Sequence, residues 1–462
     1  MARQDTYHSG TSTRGATPSA VEKGARTRSE WMRQGWFRLL ALVFLAELFV
    51  PFLLWPVGLP RAVDGLRELA PVIAVLITFM YMLKEDRTPG AVLVMLGITF
   101  IWGLVATLEG QGLAATTWGW WRLFKYPILG IFAYLVQDWP KDFARWLLRF
   151  CIGLLLFELG VQLVQLAMGM PVGDSLAGTL GWKGVMQYSM MTFFIVCLGL
   201  GHWLATQEWK TLFLILLLGF VGSMLNGTKF YLFAVGWLVG VTLVIHLVRG
   251  GQFRQLFLSM FIFALAAVAF ITVYNSYLVN SRGLRPLQEY LQPETMERYL
   301  FTDGQGDIDG LYNLGRGLAV TYSWQQIRRD PTTTLFGFGL GTRTESSALG
   351  VSGLGLEQDI YGGVGSTTLG AWIQEHGLLG LGVFLLFNLW ISLKLIRFAR
   401  ATSDPYQATL AFGLLLFTLS WPVWIWYHKA WIAGVMMVLY WVSLGYIFRQ
   451  LYSSARRVAR RV

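Results

Sequence analysis

About twelve apolar runs, each close to 20 residues long, constrain this chain more than any other feature. A run of that length spans the hydrocarbon of a bilayer as a helix. The runs fall at 36–58, 69–83, 90–107, 114–136, 146–168, 185–206, 210–226, 229–248, 256–275, 377–397, 406–426 and 430–449. Only 14% of the residues are charged, against roughly a quarter in soluble domains. The expectation is an all-α integral membrane protein of about 12 transmembrane helices, with one large periplasmic loop that itself contains helices. Residues 1–33 read as a disordered, basic cytoplasmic N-terminus. Residues 34–275 carry spans one to nine, 276–376 the loop, 377–449 the last three spans, and 450–462 a basic cytoplasmic tail.

The net charge of +11 does not point to nucleic acid. Most of it sits at the two ends and in short loops, where basic residues orient spans. With both termini cytoplasmic, Lys84, Arg87, Lys141, Arg145, Arg149, Lys210, Arg249, Arg254, Lys394, Arg397 and Arg400 all fall inside. That choice puts 276–376 outside, the periplasm of a Gram-negative cell, and makes the protein a multi-pass protein of the inner membrane. It also leaves a set of cations on the outer face that orientation does not explain: Lys183, Lys229, Arg282, Arg285, Arg298, Arg316, Arg328, Arg329, Arg343 and Lys429. Cys151 and Cys197 lie inside apolar runs and read as small buried hydrophobes.

Several cations sit where a helix alone would not place them. Arg122 and Lys125 lie inside an apolar run, three residues apart on one helix face. They read either as snorkelling side chains or as an anion site reached from outside. Lys229 follows the tight turn Asn226-Gly227-Thr228 and opens the next span. Arg316 follows Gly315 and opens a loop helix running over 313–329, which Asp330-Pro331 ends. A cation at a helix N-terminus opposes the dipole, and a phosphate bound there accounts for both features. Arg holds a phosphate with two parallel hydrogen bonds. Arg343, Arg282 and Arg285 are weaker candidates.

Gly337, Gly339 and Gly341 mark a turn, and a second, amphipathic helix is expected to begin near Thr368 and enter the membrane at Gly377. Glu375 and His376 close that helix, either as proton acceptors or, for Glu375, as a cap. Glu47, Glu158 and His202 lie within spans with no partner visible in the sequence. Asp303–Gly310 has the look of a calcium loop but lacks its closing Glu, and no metal site or cofactor is expected.

The loop has a recognisable order. Gly315-Arg316 starts a helix closed by Asp330-Pro331, Leu335-Phe336-Gly337-Phe338-Gly339-Leu340-Gly341 follows, and Gly365-Ser366-Thr367-Thr368-Leu369 runs into Glu375-His376-Gly377. Upstream, Gly178-Thr179-Leu180-Gly181 and Asn226-Gly227-Thr228-Lys229 add to it. This resembles the bacterial O-antigen polymerase / O-antigen ligase family over most of residues 36–449. The position at which the ligases carry His is Ser366 here, and the family's Arg at the outer turn is Lys229.

The resemblance implies a glycosyltransferase that polymerises undecaprenyl-pyrophosphate-linked oligosaccharide repeats into O-antigen or exopolysaccharide. Its partners would be that lipid-linked donor and acceptor and the surrounding membrane lipids, with room for a chain-length regulator. A ligase that moves finished glycan to a lipid or protein, and a transporter of polysaccharide precursors, are the alternatives. The expected catalytic residues are Arg316, Lys229, Glu375 and His376. Arg122, Lys125, Arg343, Arg282, Tyr312 and Ser366 are expected to bind the pyrophosphate and glycan.

Overall fold

A computed structural model describes residues 20–54, 57–85, 90–136, 139–140, 142–173, 175–181, 184–228, 230–248 and 250, scattered residues between 261 and 297, then 316–346, 350–357 and 367–459. The fold is helical. The first eight helices are α1 (Ala20–Leu54), α2 (Leu66–Glu85), α3 (Gly90–Leu108), α4 (Leu113–Leu135), α5 (Phe143–Ala167), α6 (Val185–Thr206), α7 (Trp209–Leu225) and α8 (Phe230–Val248). After the loop region come α9 (Arg316–Ile327), α10 (Pro331–Phe336), a two-residue hairpin β1 (Glu345–Ser346) with β2 (Val351–Ser352), and α11 (Thr368–Ala401), α12 (Pro405–Tyr427) and α13 (Gly434–Ala459). Among the described residues six helices are long and apolar enough to cross a membrane: α3, α5, α6, α11, α12 and the Gly434–Tyr452 part of α13.

The helices coincide with the apolar runs, apart from 256–275, which falls largely outside the described residues. The largest boundary differences are at the two ends, where α13 runs on to Ala459 through residues expected as a tail. Residues 20–33, expected to be disordered, continue α1 as helix, because this stretch is rich in Ala, Glu, Arg and Lys and has no proline to stop it.

α6 and α12 form the centre, with most residues of each buried. They approach closely because Gly201 faces Gly413: a Cβ on Gly201 would lie 2.5 Å from the Gly413 nitrogen. Small residues at such a crossing let apolar helices gain packing that lipid cannot offer. At the periphery, α3 buries only Trp102 and Ala106. Leu93, Val94, Leu96, Phe100 and Leu104 are exposed on it, a continuous apolar surface suited to lipid rather than water.

The loop elements pack against one end of this bundle, here the loop end. α11 breaks at Gly377 (φ 60°, ψ −162°) where it meets them. Gly337, Gly339 and Gly341 all have positive φ, which β-carbon sterics deny to most residues. Their missing side chains also let the turn press onto three helices. A Cβ on Gly377 would sit 2.5 Å from the Gly337 nitrogen, and one on Gly119 of α4 would sit 2.5 Å from the Gly341 nitrogen.

A buried ionic network joins α1, α2 and α4. Arg67 grips Glu47 through Nε (2.9 Å) and Nη2 (2.7 Å). Tyr126 donates to the same carboxylate at 2.9 Å. Lys125 Nζ lies 3.2 Å from Glu47 and 3.0 Å from Glu68, and Trp121 Nε1 donates to Glu68 at 2.5 Å. Glu47 is fully buried, whereas the Glu68 side chain is 31% exposed.

Removing one member of a buried pair strands its partner's charge, at a cost of about 3–5 kcal/mol. Glu47→Ala is expected to lower the stability of the detergent-solubilised protein by that much, read from denaturation curves. Glu68→Ala is expected to cost well under half of it, since water can replace Glu68. Equal losses would contradict this division. Gly341→Ala is expected to destabilise by at least the roughly 1–3 kcal/mol of a residue forced into a strained backbone region, read from the same curves.

Candidate functional site

At the loop end, three segments bring basic side chains together. Arg122 comes from α4. Arg316 is the first residue of α9. His428 and Lys429 form the turn that leaves α12.

The turn is held from both sides. The His428 carbonyl accepts the Thr368 amide (3.0 Å), and the Trp431 amide donates to Thr368 Oγ1 (3.3 Å). Thr367 accepts the Gly370 amide (3.0 Å) as N-cap of α11. Trp431 Nε1 donates to the Leu123 carbonyl at 2.9 Å, which anchors the turn to α4 beside Arg122. Arg316 donates through Nε to the Tyr427 carbonyl at 2.9 Å, and its guanidinium lies 4.0 Å over the Tyr427 ring.

The charges are unbalanced. Among the described residues, neither Arg122 nor Lys429 forms an ion pair. The protein packed around the Lys429 amine, together with the Arg122 guanidinium, lowers its pKa from the usual lysine range, and Glu345 acts in the opposite direction. Burial, reinforced by Arg316, pushes the His428 imidazole down to about 3, so it is neutral at physiological pH. Such a set of cations is suited to hold an anion.

Directly beneath lies a cavity of about 640 Å³. It is bounded by α3, α4, α11 and α13 and is almost wholly apolar. Trp102, Trp372, His376 and Trp431 line its loop end, and Gly90, Trp390, Phe448 and Tyr452 its other end. From Gly90 to Trp102 along α3 is about 18 Å at 1.5 Å per residue. Trp431 joins the two compartments: it lines the cavity and bonds to α4 at Leu123, next to Arg122. Within the cavity wall, His376 is buried and meets Trp102 edge-on (ring centroids 5.8 Å). Among the described residues neither of its ring nitrogens has a hydrogen-bond partner. A dry slot roofed by cations suits an amphiphile with an anionic head and a long hydrocarbon tail.

The residues expected from the sequence divide into three groups. Arg122, Arg316 and His376 come to this end of the bundle. Lys229, Arg282, Tyr312 and Ser366 lie outside the described residues, as do Arg285, Arg298 and Asp303–Gly310. The turn that leads to Lys229 is described: Asn226 Oδ1 accepts from the Thr228 amide (3.1 Å) and hydroxyl (2.6 Å).

Lys125, Arg343 and Glu375 have other work. Lys125, expected to bind the pyrophosphate or glycan, forms ion pairs with Glu47 and Glu68. Arg343 is buried rather than on a solvated face. It donates to Gln374 and, through Nη1, to the Gly355 carbonyl at 2.6 Å. Thr367 rather than Glu375 caps α11, and Glu375 Oε1 accepts the Arg343 amide at 2.8 Å and the Thr344 hydroxyl at 3.3 Å.

The polar groups that the sequence places within spans also find partners: Glu47 as above, Glu158 with the Thr179 amide (2.8 Å) and hydroxyl, and His202 with Thr409 of α12 (3.1 Å) and nearby Glu208 (3.2 Å). Lys429 was visible in the sequence as an outer cation without a reason. Its pairing with Arg122 depends on the contact between the α12–α13 turn and α4, which no local pattern encodes.

No protein-family model matches the chain, and no curated protein matches it.

Inorganic pyrophosphate is expected to raise the melting temperature of the purified protein, and Arg122→Ala/Lys429→Ala to abolish that rise. The double variant without ligand is expected to melt no lower than the wild type, because it loses a repulsion rather than a bond. A ligand-free loss of several degrees, or an unchanged response to pyrophosphate, would contradict the assignment.

Proposed function

We propose that the chain is a membrane glycosyltransferase that polymerises undecaprenyl-pyrophosphate-linked oligosaccharide repeats at the periplasmic face of a bacterial inner membrane. The single observation that carries this reading is the juxtaposition of the cations Arg122, Arg316 and Lys429 with the loop end of a long apolar cavity. A polyprenyl diphosphate has that same division, two phosphates on a long hydrocarbon. The resemblance of the loop to the O-antigen polymerase / ligase family supports the same substrate class. In this reading the chain has twelve spans, both termini are cytoplasmic, and Lys229 joins the clamp from the turn after Asn226.

The chemistry follows from the charges. A sugar hydroxyl of one chain attacks the anomeric carbon of another, and the bond to the diphosphate breaks with the electron pair leaving on oxygen. Developing charge on that oxygen is met by fixed cations in a partly dry site, where such stabilisation often contributes more to catalysis than any other effect. Tyr427 and Thr368 fix the Arg316 and His428–Lys429 side of the clamp through its backbone, and Trp431 fixes it to α4. Nothing has to reorganise as charge develops.

Purified protein supplied only with lipid-linked repeats is expected to yield a ladder of longer lipid-linked products. Arg316→Ala and Lys229→Ala are each expected to lower the rate by roughly 10²–10³, the usual cost of one such contact, with membrane insertion intact. Full-length polymer from both variants would refute the clamp. A wild type that reacts only when a separate acceptor is added would favour the ligase.

A further inference from the structure

The proposed transfer needs a group that takes the proton of the attacking hydroxyl, and the expected residues leave it unassigned. Glu375 is occupied by Arg343 and Thr344. His376 sits in the wall of the apolar cavity, between Trp102 and Trp372. Among the described residues, the remaining imidazole at this end is His428.

We infer that His428 is the proton acceptor for the attacking hydroxyl of the acceptor sugar. The inference rests on the glycosyltransferase reading above. Three observations carry it. His428 is flanked by two of the clustered cations: Lys429 follows it in the chain, and Arg316 lies over the adjoining Tyr427 ring at 4.0 Å. The residue keeps some exposed surface although its ring is packed against protein. Its ring is also aimed. It is parallel to Trp424 (17°, centroids 6.2 Å) and edge-on to Tyr427 (82°, centroids 4.4 Å), and its carbonyl is tied to the Thr368 amide.

Among the described residues, charged and titratable groups near it include Arg316 from α9, Tyr427 from α12, Lys429 on the same turn, and beyond Lys429 the side chains of Arg122 and Glu345. Of these, Arg316 acts on the imidazole, after burial itself, to lower its pKa. In the free protein that charge and burial keep His428 neutral, the form able to accept a proton. A diphosphate bound to Arg316 offsets the positive charge and makes the imidazole more basic. The substrate thereby brings its base toward the working pH, where proton transfer is most effective. The proton balance is simple: hydroxyl to His428 as the C–O bond to the acceptor forms, then His428 to solvent after the lipid diphosphate leaves.

The test uses the purified full-length protein and lipid-diphosphate repeats. His428→Asn is expected to lower kcat by about 10²–10⁴ while the donor KM stays within a few-fold. His428→Gly is expected to recover at least tenfold of its lost rate when free imidazole is added, a rescue that a packing role would not show. In the wild type, the acid limb of kcat is expected at higher pH than that of kcat/KM, because kcat reports the substrate complex. His428→Asn is expected to lack that limb. Transfer by His428→Asn within threefold of wild type, under conditions where Arg316→Ala is inactive, overturns the role of His428 and leaves the glycosyltransferase reading standing. So does loss of activity in both His428 variants with no rescue and no separation of the two pH profiles. A wild type that makes no longer product from the donor overturns the reading, and this inference with it.

Discussion

The break in α11 at Gly377 depends on a turn of three glycines, and most of the loop end depends on the break. Interrupting a helix frees carbonyls that must find other donors, and none is on offer from lipid. Here Phe338 donates to the Gln374 carbonyl at 2.7 Å and Gly339 to the Glu375 carbonyl at 3.1 Å. Trp102 Nε1 donates to both the Phe336 carbonyl (2.9 Å) and the His376 carbonyl (3.2 Å). The turn can come this near only because each of its glycines lacks a side chain that would strike α11, α3 or α4. Once seated, it places Trp102, Trp372 and His376 at the cavity mouth. It also sets the start of α11 where Thr367 and Thr368 receive the α12–α13 turn.

Two cations one helical turn apart on α4 show how the molecule separates structure from site. Lys125 is buried, and both its charge and its neighbour Arg67 are balanced by Glu47, Glu68 and Asp64. This cluster is a fastening between helices. Arg122, three residues earlier, has no such acid among the described residues and is joined instead by Lys429. The two like charges repel each other. Glu345 acts against that repulsion at Lys429, and a bound dianion would do so for both cations. Perturbed groups beside a cleft are more often functional than structural for this reason.

Local signals in the sequence carried far into the structure. The apolar runs lie where helices form, the kink falls at Gly377, the glycine run is a turn, and Asp330-Pro331 separates two helices, with Asp330 accepting the Thr332 and Thr333 amides at 2.8 and 3.0 Å. Each of these is decided within a few residues. What depended on neighbours distant in the chain was hidden. Glu47 and Lys125 are 78 positions apart, which no spacing rule connects. Arg343 read as a solvated charge because its partners, Gln374 and Gly355, come from other elements. The cavity is the space left between four helices. Lys429 was legible only as an anomaly.

In this picture a lipid diphosphate sits with its phosphates among Arg122, Arg316 and Lys429 and its tail between α3, α4, α11 and α13. An experimental structure with a polyprenyl diphosphate bound tests it most directly. Phosphate oxygens are expected within hydrogen-bond distance of all three cations, with hydrocarbon density running from Trp431 and Trp372 towards Tyr134 and Tyr452. Phosphates bound elsewhere, or a filled cavity with no head group at those cations, would contradict it.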